Sequence, residues 1–239
     1  MEIWLGLLAA VWALLLFGGF VLGRDNPEKT YRMPLNTRLS SSFMLMVAGW
    51  SWVLAVGTKP GNYAFFIALG MTLGFIGDLC MASVIPLSQP ALGGICAFGI
   101  GHVFYIVALL TFGNSNGLDS PIPRWLALIL WWLIGLGGWY IVVGCKGKPD
   151  VLRLAALPYA LLLSSTAGFA GGLAVQSPGF IYLAVGAALF LFSDLLIAAQ
   201  LFSGLNFRHI GDVIWLTYGP AQFLIVYSII NALSVSSFN

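Results

Sequence analysis

Eight apolar stretches of about 20 residues each, joined by short connections, account for most of this chain. A stretch of that length is what an α-helix needs to cross the hydrocarbon core of a bilayer. The longest connection covers residues 23–38, which leaves no room for a soluble domain. We therefore predict an all-α polytopic membrane helix bundle, a single integral membrane domain over residues 1–239 with eight transmembrane helices. The helices are expected near residues 3–22, 39–56, 63–85, 91–112, 125–144, 154–175, 179–202 and 213–235.

The composition excludes several classes of protein. Hydrophobic residues make up 60% of the chain and charged residues 8%, against about a quarter charged in soluble domains. The basic residues are spread over the connections rather than clustered, so no nucleic-acid partner is indicated. Cys80, Cys96 and Cys145 are scattered without C-x-x-C spacing, and there is no HExxH motif. We therefore expect no disulfide framework, no metal site and no cofactor.

The distribution of Lys and Arg predicts the orientation in the membrane. The odd-numbered connections hold eight basic residues and the opposite side holds two. By the positive-inside rule the richer side is cytoplasmic, which leaves both termini outside. A bacterial plasma (inner) membrane is expected, although a protein of the endoplasmic reticulum would follow the same rule. The eight are Arg24, Lys29, Arg32, Arg38, Lys146, Lys148, Arg153 and Arg208, and the two are Lys59 and Arg124.

The second half of the chain weakly repeats the first. FLFSDLLIAA, residues 190–199, resembles GFIGDLCMAS, residues 74–83, and each segment precedes a span with an aromatic-Gly pair near its start. Because each half contains four spans, an even number, such a repeat would be parallel and related by an axis along the membrane normal. The sequence is thus compatible with two parallel four-helix pseudo-repeats.

Two carboxylates, Asp78 and Asp194, interrupt spans three and seven. At ~1.5 Å per residue they lie ~10 Å and ~12 Å from the predicted cytoplasmic ends of these spans, at matching depth. A charge in the centre of a membrane helix costs at least ~2.5 kcal/mol, so such a residue usually faces a cavity or a partner. No Lys or Arg falls within a predicted span to neutralise them. We prefer a functional pair; the alternative is a structural pair of protonated aspartates joined across helices.

Uncharged polar residues in two other spans are the candidate partners. His102 and Tyr105 lie about one turn apart in span four, as do Tyr218 and Gln222 in span eight. If the two carboxyls meet, desolvation and mutual repulsion would leave one of them protonated at neutral pH. Such a pair supplies an acid and a base from one residue type. His102 fits either this site or a hydrogen bond that merely fastens two helices.

Four short blocks occur in a specific order, and together they resemble a known family. The blocks are GFIGDLCMA, GGICAFGIGHVFYIVAL, ALFLFSDLLIA and LTYGPAQFLIV, within residues 70–112 and 186–230. They are similar to the recurrent segments of the YhhN-like lysoplasmalogenase family of multi-pass membrane proteins. The chain departs from that pattern at Thr217, where the family has a tyrosine. It also lacks the family's basic start of the second helix, for which Arg38 is the possible replacement.

The resemblance implies site residues and an activity. The family hydrolyses the vinyl ether of a lysoplasmalogen, a lysophospholipid of the bilayer, to a fatty aldehyde and a glycerophospho-headgroup. Arg38 or Arg32 would hold the phosphate. A related ether lysolipid is an alternative substrate, and a proton-coupled transporter or a non-catalytic lipid receptor are alternative functions. The implied catalytic residues are Asp78 and Asp194, and the implied substrate-binding residues are His102, Tyr105, Tyr218, Gln222 and Arg38.

Overall fold

The computed structural model describes residues 1–25, 30–57, 61–145 and 150–236. These residues form eight helices long and apolar enough to cross a membrane, and no strand, so the predicted fold class is confirmed. Lys29, Lys59, Lys146 and Lys148, which entered the prediction of orientation, lie outside the described residues. The helices are α1 (Glu2–Leu22), α2 (Leu35–Val56), α3 (Tyr63–Met81), α4 (Pro90–Ser115), α5 (Pro121–Gly144), α6 (Val151–Gln176), α7 (Pro178–Ser203) and α8 (Ile210–Ser236).

Several helix ends differ from the prediction by three or four residues, and two of these differences affect the polar interior most directly. Helix α2 begins at Leu35 rather than at residue 39, directly after Pro34 in extended conformation. Arg38 is therefore in the first turns of a membrane helix. Helix α3 ends at Met81 rather than at residue 85, because Ser83 adopts a left-handed backbone with φ +57° and the chain turns away.

The helices pack in the same order in both halves of the chain. Helix α3 packs against α4 and α2, and in the second half α7 packs against α8 and α6. Contacts of α4 with α6 and of α8 with α2 close the bundle, while α5 lies at its periphery against α6 and the C-terminal part of α7. This order agrees with two parallel four-helix halves.

Two glycines allow these helices to approach closely. At Gly168 in α6 a Cβ atom would lie 2.7 Å from the Cα of Leu128 in α5. At Gly70 in α3 a Cβ atom would lie 2.3 Å from the ring of Tyr105 in α4. Small residues at such crossings let membrane helices gain van der Waals contact that larger side chains would prevent. The α3–α4 contact seats the Tyr105 ring beside the polar interior.

The connection between α1 and α2 is tied to the start of α8 by a buried carboxylate. Asp212 was predicted to lie in a connection, but α8 begins at Ile210 and Asp212 is only 1% exposed. Its carboxylate accepts hydrogen bonds from the backbone N–H groups of Arg32 at 2.9 Å and Met33 at 3.3 Å. The Arg32 Nε donates to it as well, at 3.2 Å. Arg32 is thus engaged in holding this connection.

A second ion pair joins the α1–α2 and α7–α8 connections at the surface. The guanidinium of Arg208 donates to the carboxylate of Asp25, and this hydrogen bond lowers the pKa of Asp25 below its ordinary value. His209 lies between two acids, with its Nε2 3.8 Å from Asp25 and its Nδ1 3.7 Å from Asp212. The two connections therefore lie against each other.

Candidate functional site

A cavity of about 460 Å³ lies where α2 and α8 begin and where α3 and α7 end. The positive-inside rule predicts that this end of the bundle faces the cytoplasm. Asp78 of α3 and Asp194 of α7 both line the cavity. Two acids that are far apart in the sequence thus lie in one cavity. Its polar lining includes Thr30, Tyr31, Arg38, Asp78, Asp194 and Tyr218.

The two acids do not lie at equal distances from their helix ends. Asp78 is followed by only three residues before α3 ends at Met81, about 4.5 Å of helix, whereas nine residues, about 13.5 Å, separate Asp194 from Ser203. The prediction that the two acids lie at matching distances from their helix ends is therefore wrong, because α3 ends early. The residues at and just after this early end, Met81, Ala82 and Ser83, form part of the cavity wall.

Each aspartate accepts a hydrogen bond from a hydroxyl on the preceding helix. The Ser42 Oγ of α2 donates to Asp78 Oδ2 at 2.5 Å, and the hydroxyl of Tyr218 is a second partner of that carboxyl. The Tyr159 hydroxyl of α6 donates to Asp194 Oδ2, and Ser193 Oγ lies 3.3 Å from Oδ1. Because α2 and α6 are equivalent helices of the two halves, the acids are held in related ways.

Arg38 brings a positive charge into the same cavity. Its side chain is 8% exposed, and its guanidinium carbon lies 3.8 Å from the ring centroid of Tyr31 and 5.5 Å from that of Trp215. Among the described residues its Nε has no hydrogen-bond partner. The prediction that no Lys or Arg lies within a span was therefore wrong, since the early start of α2 places Arg38 in this helix and in the cavity that Asp78 lines.

Three of the predicted site residues lie behind the cavity wall rather than in it. His102 is 1% exposed, and its Nδ1 is 2.9 Å from Thr166 Oγ1, while its Nε2 has no partner among the described residues. The Tyr105 ring meets the His102 ring edge-on at 5.4 Å. Gln222 donates through Nε2 to the Tyr218 hydroxyl at 2.5 Å. Gln222 thus reaches the cavity only through Tyr218, which itself lines it.

The sequence interpretation missed four residues that contact the acids or Arg38. Ser42 carried a partial signal, since it lies one turn after Arg38 in α2. Tyr159 carried none, because a tyrosine in an apolar span looks like any other packing residue. Tyr31 and Trp215 flank the guanidinium and belong to a connection and to α8.

Three aromatic side chains pack together in the opposite half of the bundle, between α3, α4 and α7. Tyr63, Phe112 and Phe180 are 0% exposed, and the centroids of the Tyr63 and Phe180 rings each lie 5.2 Å from that of Phe112. These residues belong to the ends of α3, α4 and α7 that lie away from the cavity. Close packing of this kind leaves little space for solvent beyond the two aspartates.

Within the described ranges, no three His, Cys, Asp or Glu residues come together as metal ligands would. The arrangement instead offers two carboxyls, one guanidinium and a set of hydroxyl groups. With one carboxyl protonated and the other ionised, these groups can donate a proton, accept one and bind an anion.

Residues 36–229 match the model of the YhhN family. This match includes both aspartates, their hydroxyl partners and Arg38. The chain belongs to the YhhN family. The family match therefore agrees with the resemblance seen in the four short blocks, and it extends over α2 to α7 and most of α8. Neither a curated protein nor a solved structure matches the chain.

Proposed function

We propose that this protein is a membrane hydrolase that cleaves the vinyl ether bond of a lysoplasmalogen or of a related ether lysolipid. The products are a fatty aldehyde and a glycerophospho-headgroup. The observation that carries the proposal is the meeting of Asp78, Asp194 and Arg38 in one cavity of a YhhN-family bundle. The family resemblance suggests the reaction, and the two carboxyls supply the acid and base that it requires.

The first chemical step is the transfer of a proton to carbon. A protonated carboxyl gives its proton to the outer alkene carbon of the vinyl ether, and the ether carbon becomes an oxocarbenium ion. The second carboxylate stabilises this cation at close range, as paired acids do in glycosidases. The mostly apolar interior around the site strengthens that stabilisation, because electrostatic interactions are less screened there than in water.

Water completes the reaction and restores both acids. The ionised carboxylate takes a proton from water as its oxygen bonds to the oxocarbenium carbon, which gives a hemiacetal. The hemiacetal hydroxyl then returns a proton to the first carboxylate, and the second carboxyl protonates the departing glycerol oxygen. One water is consumed, one C–O bond is broken and both carboxyls regain their starting forms. The hydroxyls of Ser42, Tyr159 and Tyr218 orient the two acids during these transfers.

Arg38 is the proposed anchor of the lipid phosphate. Its guanidinium is positioned by Tyr31 and Trp215 and keeps an unpaired Nε. Arginine binds phosphate through paired N–H donors in a fixed geometry. Arg32, the other candidate from the sequence, already pairs with Asp212.

A proton-coupled transporter would use the same aspartates, but it also needs a route to the opposite side. The buried cluster of Tyr63, Phe112 and Phe180 occupies the space between α3, α4 and α7 on that side, which favours the hydrolase. A transporter predicts uptake of intact substrate into sealed vesicles without cleavage, and a receptor predicts binding without turnover.

The test uses purified protein with a lysoplasmalogen and, as the matched control, a 1-acyl lysophospholipid with the same headgroup. Free aldehyde and free fatty acid are both measured. We expect aldehyde from the vinyl ether and no fatty acid from the ester. In D₂O the aldehyde should carry one deuterium on the carbon next to its carbonyl, because that carbon receives the proton. Release of fatty acid from the ester, or no aldehyde above the protein-free control, would refute the proposal.

A further inference from the structure

A second, narrow cleft of about 60 Å³ lies between α4, α5, α6 and α7. Its wall is almost entirely apolar, with side chains such as Ile95, Leu163, Leu191 and Leu195. It reaches the surface of the bundle, since Leu201 lines it and is 48% exposed. The proposed hydrolysis assigns no role to this cleft.

The cleft adjoins the cavity that holds the two acids, because the two spaces share part of their lining. Asp194 lines both spaces, and so do four apolar residues. Asp78 and Arg38 line only the larger cavity. The two adjoining spaces therefore differ in polarity, the larger one polar and the narrower one apolar, and Asp194 lies where they adjoin. The four shared apolar residues are Met81, Phe98, Ile197 and Leu201.

We propose that the cleft and its opening at the bundle surface bind the aliphatic chain of the lysolipid, with the chain only partly enclosed, so that the scissile vinyl ether lies beside Asp194. This inference rests on the proposed function for the identity of the bond, but the chain site itself does not require turnover. An amphiphile matches the polarity of the two spaces, because its phosphate would reach Arg38 while its chain stays among apolar side chains. The alkene carbon that accepts the proton is on the chain side of the ether.

The same geometry separates the roles of the two acids. Asp194 faces the chain side of the ether, where the proton must be delivered, and is the proton donor. Asp78 lies with Arg38 in the larger, more polar cavity, where the water that attacks the ether carbon can be held. Asp78 is accordingly the group that accepts the proton from water.

Photolabelling with a saturated ester lysolipid tests the chain site without hydrolysis of a vinyl ether. One probe carries a diazirine near the headgroup end of its chain and another carries it at the chain terminus. We expect the first probe to label Asp194 rather than Asp78. The second should label residues of α5 or α6 that line the cleft. Labels spread over the outward faces of all helices would show contact with bilayer lipid only and would overturn the proposal.

Variants that narrow the cleft give an independent measurement. Ala160→Phe fills it from α6 and Ala198→Phe from α7. Each should reduce labelling by the terminal probe about fivefold or more, because a bulky side chain would occupy the chain's position. Ala188→Phe is the matched control, since Ala188 lies between Val185 and Phe192 on the outward face of α7. It should leave the labelling unchanged.

The outcomes separate this proposal from the proposed function. Wild-type labelling decides the chain site even where a variant fails to fold. Labelling in the cleft without aldehyde release would support the chain site and refute the proposed hydrolase activity. Aldehyde release with labelling outside the cleft, or with labelling unaffected by correctly folded Ala160→Phe and Ala198→Phe, would remove the chain site alone.

Discussion

Arg38 is the single residue whose position most changes the chemistry of the cavity. We expect Arg38→Gln to raise the KM for a phosphate-bearing lysolipid about tenfold or more with a smaller change in kcat, because the anchor lies away from the reacting carbons. Arg38→Lys should restore part of the loss, since it keeps the charge but not the paired donors. Initial rates over a range of substrate concentrations measure both constants.

Arg32→Gln is the control for this prediction. Arg32 forms an ion pair with Asp212. The Arg32→Gln variant should therefore have a lower thermal stability and an unchanged KM. An unchanged KM in Arg38→Gln, or an equal rise of KM in Arg32→Gln, would contradict the assigned phosphate anchor.

The sequence indicated the two acids and Tyr218, but not the other groups that hold the acids. Asp78 and Asp194 stand out because a carboxylate among apolar residues is costly and therefore rare. Ser42 and Tyr159 do not stand out, since hydroxyl groups are tolerated in membrane helices wherever they can bond to the backbone. Which hydroxyl meets which carboxylate depends on the rotation of each helix about its axis, and hydropathy carries no information on that rotation.

At the scale of helices, the number of spans was predictable and some ends were not. Eight apolar stretches predict eight helices because each must satisfy its backbone hydrogen bonds within the bilayer. The end of α3 depends on the left-handed backbone of Ser83, and nothing in the apolar run through Ile85 indicates it. The start of α2 before Arg38 was missed for a related reason. The apolar stretch that predicts this helix begins only after the charged residue, whereas the helix itself begins before it.

The α5–α6 contact gives a prediction about stability. Gly168→Ala should lower the melting temperature by several degrees, because the new Cβ would lie 2.7 Å from a backbone atom of Leu128. Overpacking of this kind typically costs about 1–3 kcal/mol. Gly137→Ala on α5 is the matched control, since a Cβ there meets nothing within 4 Å. Thermal unfolding of both variants in one detergent measures the difference, and equal melting temperatures would contradict the close contact.

At the scale of the whole molecule, the orientation in the membrane is a prediction from the charges of the connections. Cys145 is exposed at the end of α5 that is predicted to be cytoplasmic. In a variant with Cys80→Ala and Cys96→Ala, a membrane-impermeant maleimide should label Cys145 only after the cells are opened. Labelling of Cys145 in intact cells would show that the orientation is the opposite of the predicted one. The cavity would then open toward the other side of the membrane.

The convergence of the acids is a property of the whole bundle. Asp78 and Asp194 line one cavity because the two halves place α3 and α7 around one interior. The weak internal repeat suggested that these two helices are equivalent, but it did not indicate where in the bundle they lie. The polar cavity, the apolar cleft and the aromatic packing of the far half all depend on this arrangement.

The most direct measurement is the rate of aldehyde release by Asp78→Asn, Asp194→Asn and the double variant, each confirmed to insert and purify like the wild type. We predict that each single variant loses at least about 100-fold in kcat, because proton transfer needs both groups. The double variant should be little slower than either single variant, since groups that act as a unit are not additive. Wild-type rates in either single variant would contradict the shared role of the two carboxyls.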